Sequence, residues 1–346
     1  AQDLGVANGA HATGPDLPLH ASTQRAVSSI EGVRALAELG FTRAVLAREM
    51  SLKESRSICA HSPIEIETFM HGALCVCYSG QCLMSSMIGG RSGNRGRCAQ
   101  PCRLPYTLVD EQRQDVLGDK AGSYLRSPRD LSTIDVIPDL IEAGVSSLKI
   151  EGRMKRPEYV ATVVRTYREA IDTHYAGKGY AVTQEERDDL AQIFNRDFTV
   201  AYLKGRPGKA MMSDRRPNNR GLLIGRVTAY DWDRRIVTVK LSGRLGLGDQ
   251  VDFWVKVGGR VTATIDSLRD AQGREVEAGE AGDTVSFAIP SAVRDHDRVF
   301  KVYDARLMER AKETYASGAP VRRIPVTLAG HAAIGAPLTV TVCDAE

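Results

Sequence analysis

Residues 67–102 constrain this chain more than any other stretch. They read E-T-F-M-H-G-A-L-C-V-C-Y-S-G-Q-C-L-M-S-S-M-I-G-G-R-S-G-N-R-G-R-C-A-Q-P-C and hold five of the seven cysteines: Cys75, Cys77, Cys82, Cys98 and Cys102. Neither a 3.6-residue nor a 2-residue apolar period runs through them. Glycines and small residues separate the thiols instead. Such a loop folds by wrapping its cysteines around a group, or by burying them as small apolar side chains.

The rest of the composition narrows the choice. Disulfide frameworks belong mainly to short secreted chains. This chain has 346 residues and an odd cysteine count. No apolar run reaches the 18 or so residues of a membrane span, and the opening residues lack the apolar core of a signal peptide. The expected setting is therefore the cytoplasm, where clustered thiols point to metal, cluster or redox chemistry. The spacing is Cys75-x6-Cys82-x15-Cys98-x3-Cys102, with Cys77 inside the first interval. The C-x2-C knuckles of zinc ribbons are absent, and wide spacing on a Gly-rich loop suits a cubane iron–sulfur cluster. Cys59 and Cys343 stand apart and read as structural. A net charge of +3 is too weak to imply nucleic acid by itself.

Strand, helix, strand, helix recurs through the first half. Residues 18–22, 43–48, 64–70 and 146–151 read as strands. Residues 30–39, 51–60 and 157–175 read as helices, and Ser127-Pro128-Arg129-Asp130 leads into another that ends at Ala143, with a capping box at Ser51 and Glu54 and Pro157 at a first turn. Short links between such units imply a parallel α/β fold. Polar residues gather at the strand ends, which favours a β/α (TIM-type) barrel with its chemistry at that face. About four strands fall short of a full barrel, so the expectation is a partial barrel lacking its N-terminal half. From residue 222 the period changes to two, which predicts a small antiparallel β-barrel. The expected divisions are 1–178 (barrel part with the cysteine loop), 179–221 (helical and basic connector), 222–304 (β-barrel), and 305–346 (a helix and the start of a further β domain).

One specific resemblance emerges. The pattern Glu67-x-Phe69-x2-Gly72-Ala73-Leu74-Cys75-x4-Gly80-x-Cys82-x-Met84-Ser85 resembles the signature of the peptidase U32 family of collagenase-like proteins. S-G-N-R-G-R-C-A-Q-P-C-R at 92–103, S-P-R-D-L-S at 127–132 and L-K-I-E-G-R-M-K-R-P-E-Y-V-A at 148–161 are similar to that family too. The resemblance implies one of two activities. The first is hydroxylation of a pyrimidine in ribosomal or transfer RNA, with a 4Fe–4S cluster on four cysteines and prephenate as oxygen source. The alternative is collagenase-like peptidase activity. It places Cys75, Cys82 and Cys98 on ligand positions. The family's fourth ligand position falls on Ser132, so the fourth ligand here is Cys102 or a weaker group.

The other candidates follow from residue type. His20, Ser22 and Gln24 alternate on one strand, as do Lys149, Glu151 and Arg153. They form either a structural network at the strand ends or a pocket whose cations hold the carboxylates of a small acid. His20, Gln24, Lys149, Glu151 and Arg153 are accordingly the catalytic candidates. Arg91, Arg95, Arg97 and Arg103 are candidates for RNA phosphates, with Arg126 and Arg129 beside them and Arg206, Arg215, Arg216 and Arg220 extending the footprint. The competing reading is a solvated basic face, or cations offsetting a negatively charged cluster. No spacing identifies a protease triad, and H-E-x-x-H is absent.

Overall fold

The computed structural model describes residues 1–177, 179–214, 217–254, 259–316 and 324–344. The expected boundary residue Lys178 and the connector residues Arg215 and Arg216 lie outside the described residues.

The first half is mixed α/β. Its elements are α1 (Leu4–Thr13), β1 (His20–Ala21), α2 (Ile30–Glu38), β2 (Arg43–Val45), α3 (Leu52–Cys59), β3 (Glu65–Ala73), α4 (Met84–Gly89), β4 (Asp130–Ser132), α5 (Ile137–Glu142), β5 (Ser147–Glu151), α6 (Pro157–Tyr175), α7 (Gln184–Ile193) and β6 (Phe198–Thr199). Local signals start most of these helices. Ser51 accepts from the Glu54 amide while Glu54 accepts from the Ser51 amide at 2.8 Å, so the capping box of α3 is complete. In α6, Tyr159, Thr162, Val163, Thr166, Tyr167 and Ala170 are buried at helical spacing.

Strands β1, β2, β3 and β5 are parallel neighbours. Glu67 pairs with Val45 on one edge of β3 and Ser147 on the other, and His71 pairs with Ser132 and Ile150. Strands β2 and β4 therefore share one edge of β3, end to end, and β5 holds the other. Strand β4 runs antiparallel to β3. The sequence predicts that Ser127-Pro128-Arg129-Asp130 leads directly into a helix ending at Ala143. The chain instead forms β4 and enters α5 only at Ile137, with Pro138 in its first turn. Asp130 is the reason. It is buried against Arg196, and Arg196 donates to it from its amide at 3.0 Å and its guanidinium at 2.6 Å.

The second half contains β7 (Leu222–Asp231), β8 (Ile236–Leu241), β9 (Leu245–Gly246), β10 (Gln250–Trp254), β11 (Arg260–Thr264), β12 (Ala278–Gly279), β13 (Thr284–Ala288) and β14 (Arg298–Tyr303), then α8 (Ala305–Ala316), β15 (Val326–His331) and β16 (Thr339–Asp344). Six strands form one antiparallel sheet in the order β11-β10-β14-β7-β8-β13. Val227, Val239, Val285, Phe253 and Val299 meet in a single core, so the sheet curls around its own apolar face. Strands β15 and β16 make a separate hairpin with every residue exposed. Among the described residues no helix is long and apolar enough to cross a membrane.

The expected division at 178 passes through a core. Met70, Ile137, Leu140, Tyr159, Val163 and Tyr167 pack in one cluster with Leu190 and Ile193 of α7 and Leu307 and Met308 of α8.

Candidate functional site: a cavity ringed by cysteines

The cysteine loop leaves the C-terminal end of β3 and folds back over the sheet. Ser79 anchors it, donating to Glu49 from its amide at 2.9 Å and accepting from the Arg48 amide at 3.1 Å. Gly80 lies against the backbone of Gln24, so close that a Cβ there would sit 2.1 Å from the Gln24 carbonyl oxygen. Its φ of +73° also disfavours any other residue. Gln24 donates from its side chain to the Gly93 carbonyl at 3.1 Å, and Asn94 donates to the Gly80 carbonyl at 3.2 Å.

This folding encloses a cavity of about 270 Å³. Cys75, Cys82, Cys98 and Cys102 all line it, together with Gln24, Arg48, Arg103, Arg126, Glu151 and Arg153. Four of the expected ligands and three of the five catalytic candidates thus meet at one place. Arg153 donates to the Cys98 carbonyl at 3.0 Å, and its amide donates to Glu151 at 2.9 Å. The Gln100 amide donates to the Cys98 sulfur at 3.3 Å, the kind of bond a metal-bound thiolate accepts. Burial raises the Cys102 thiol; Arg103 counters this, while Cys75, Cys98 and Cys82 reinforce it. Those three thiols are therefore electrostatic neighbours of Cys102. Cys77 lies off the cavity lining, and its thiol is also raised, first by burial and then by Cys82 and Cys75.

Four thiols around one cavity are a donor set that an iron–sulfur cluster can use. A cubane cluster holds its four sulfurs apart around its own bulk. Thiols ringing a cavity are what it requires.

The remaining candidates go elsewhere. His20 is exposed in β1 and does not line the cavity. Lys149 is bonded at 3.0 Å to Glu67, which also accepts from Ser147 at 2.9 Å. Burial pushes the Glu67 carboxyl up, and the bonds from Lys149 and Ser147 with the Arg43 charge more than offset it, leaving it below its ordinary value. Ser132 turns inward in β4, with its hydroxyl 3.4 Å from the Tyr167 hydroxyl, and does not line the cavity. Of the arginines, Arg91, Arg95 and Arg97 are exposed on the loop. Arg103 differs from that expectation. It is buried and donates to Ser127 at 2.7 Å, to Leu74 at 3.0 Å and to the Pro128 carbonyl. Its guanidinium clamps the loop to the segment before β4.

Lys155 escapes sequence reasoning. It follows β5, and its ammonium lies over the Tyr159 ring at 5.4 Å. Burial lowers it to about 7, with Asp130 opposing and Arg196 and Arg103 adding to the fall. Nothing in Arg153-Met154-Lys155-Arg156 distinguishes it, because the charges that act on it, Asp130, Arg196 and Arg103, come from distant segments.

A family model described as peptidase family U32 matches residues 1–213. The chain belongs to peptidase family U32. This U32 chain is 35% identical over 305 residues to the tRNA hydroxylation protein P1 of Bacillus subtilis, covering 86% of this chain and 70% of that one. It is 38% identical over 258 residues to a 23S rRNA 5-hydroxycytidine synthase of Escherichia coli, covering 70% of this chain and 37% of the enzyme. A collagenase of Porphyromonas gingivalis is 32% identical over 308 residues, with 83% and 72% covered.

Proposed function

We propose that this chain carries the reaction centre of an RNA-hydroxylating enzyme, in which Cys75, Cys82, Cys98 and Cys102 hold a 4Fe–4S cluster. The observation that carries the reading is the shared cavity: four thiols with Gln24, Glu151 and Arg153 at one mouth. The names of two relatives supply the reaction, hydroxylation of tRNA and of 23S rRNA. The parallel run β1-β2-β3-β5, with the loop leaving a C-terminal strand end, supports a partial TIM-type barrel as the frame. The reducing cytoplasm is the fitting compartment for such thiols.

Each residue then has a task. Cys102 would hold the cluster as a thiolate, and Arg103 beside it would offset that negative charge. The Gln100 amide steadies the Cys98 sulfur. Glu151, oriented by the Arg153 amide, is placed to accept the proton that leaves the pyrimidine carbon. Arg126 and Arg153 offer cations for the carboxylates of a small co-substrate such as prephenate. Arg91, Arg95 and Arg97 present an exposed basic edge to RNA phosphates. The cluster, when bound, supplies one-electron redox chemistry. The net change is C–H to C–OH, a two-electron oxidation that balances when the co-substrate gives up its hydroxyl oxygen and takes the two electrons and the released proton in its place, its C–O bond becoming C–H.

The collagenase name of one relative favours a peptidase as the second reading. The side chains give it little support. His71 is bonded to Tyr167, and among the described residues no histidine is hydrogen-bonded to a serine or cysteine side chain.

Complementation separates the two. The full-length protein and its Cys82→Ser variant are returned to a deletion strain, and hydroxylated pyrimidines are measured by mass spectrometry. The variant is expected to lose the cluster's visible absorption and the modified nucleotide together, while Cys77→Ser and Cys343→Ser keep both. Full hydroxylation by Cys82→Ser would refute the cluster reading.

A further inference from the structure

A second cavity, of about 520 Å³, lies between the α/β half and the curled sheet. Arg129, Arg196, Arg220 and Arg298 line it, with Asp197, Asp214 and Trp254. We propose that this cleft binds one phosphodiester of the RNA substrate, next to the nucleotide that enters the cysteine cavity. The proposal rests on the RNA reading above and adds a contact that reading does not contain.

Three observations carry it. The first is charge. Arg196 is paired with Asp130, and Arg220 with Asp197. Arg129 and Arg298 have no carboxylate partner among the described residues. Among the described residues, four guanidiniums against Asp130, Asp197 and Asp214 leave one net positive charge (4 − 3 = 1). A phosphodiester carries one negative charge and suits such a lining.

The second is preorganisation. Trp254 in β10 lies opposite Arg298 in β14, and its ring stacks on Phe300 at 4.1 Å. The guanidiniums of Arg298 and Arg220 lie over the Trp254 ring at 4.9 and 5.3 Å. A cation held on a ring face loses less side-chain freedom when an anion arrives. On the opposite wall, Arg129 donates to the Met212 carbonyl at 3.3 Å.

The third is position. Arg126 lines the cysteine cavity and Arg129 lines the cleft. Three residues of chain span at most about 11 Å. A strand whose base enters the first cavity therefore has its neighbouring backbone within reach of the second.

The test uses the full-length protein and a single-stranded RNA oligonucleotide, with affinity measured over a series of salt concentrations. Arg298→Gln and Arg129→Gln are each expected to weaken binding about five-fold or more and to lower the salt slope by about 1. Arg274→Gln, at an exposed site in the segment between β11 and β12, removes the same charge away from the cleft and is expected to leave both unchanged. Melting temperatures of all three variants exclude unfolding as the cause. If the parent binds RNA and the two cleft variants match it in affinity and slope, the cleft proposal falls and the cysteine-cavity reading stands. If the parent binds no RNA, both fall. If inorganic phosphate raises the melting temperature of the parent alone while RNA affinity is unaffected by the substitutions, the cleft takes a small free anion and the proposal is overturned.

Discussion

His71 shows how far a single side chain is governed by the elements around it. It sits in β3 with its ring 1% exposed, between Tyr159, Tyr167 and Phe198. Its Nδ1 is 3.1 Å from the Tyr167 hydroxyl, which also accepts from the Thr133 amide and donates to the Met70 carbonyl. With the single phenolic proton on Met70, the network closes when His71 donates from Nδ1. Burial depresses its pKa to about 4; Asp130 opposes the fall and Lys155 adds to it. The unfolded chain then binds the proton more readily, so stability is full above the ordinary value of 6.5 and is lost as pH falls toward 4. The slope is at most about 1.4 kcal/mol per pH unit from this one group. His71→Phe keeps the ring packing and leaves Tyr167 its Met70 and Thr133 partners. Urea melts between pH 7 and 4.5 are expected to show a shallower acid loss in the variant than in the parent. An equal loss in both would assign the acid sensitivity to other groups.

At the scale of elements, the cysteine loop holds only the short helix α4 and two single 3-10 turns, at Gly93–Arg95 and Pro101–Arg103, and depends on where it docks. Gly80→Ala tests that docking. A methyl group 2.1 Å from the Gln24 carbonyl cannot be accommodated by rotating a side chain, because the obstacle is backbone. The loop is expected to lift from the first parallel strands. Limited proteolysis would then cut within residues 76–97 far faster, while far-UV circular dichroism stays near that of the parent. An unchanged cleavage rate would mean that the loop is held from its other end. The same distinction explains what the sequence reveals. The capping box of α3 and the buried face of α6 are local, and both are legible in residue types and spacing. Strand β4 is not, because the buried pair of Asp130 and Arg196 joins segments 66 residues apart. Helix α1 carries Gly5 and Gly9 and buries only Ala7, so its period is nearly silent. Within the site, thiols announce themselves by chemistry. The inward turn of Ser132 and the depressed ammonium of Lys155 come from partners that no local pattern names.

For the whole molecule, the decisive fact is that one core crosses the change in sequence period. Leu190, Ile193, Leu307 and Met308 lie beyond residue 178 yet pack with Ile137, Leu140, Val163 and Tyr167. A fragment ending at 178 would leave the other side of that cluster open to water. At roughly 2 kcal/mol per large apolar side chain, losing four of them costs about 8 kcal/mol. That is comparable with the whole stability of an ordinary domain, about 5–15 kcal/mol. The curled sheet stands differently, since Ile224, Val239, Phe253, Val285 and Val299 form a core drawn from that unit alone. Residues 222–303 expressed alone are therefore expected to run as a monomer in size-exclusion chromatography and to melt in one cooperative transition. Residues 1–178 are expected to aggregate, and extension to 316 to recover soluble material by restoring α7 and α8. A monomeric, cooperatively melting 1–178 fragment would show that the four distant side chains contribute little, and that the α/β half is a folding unit by itself.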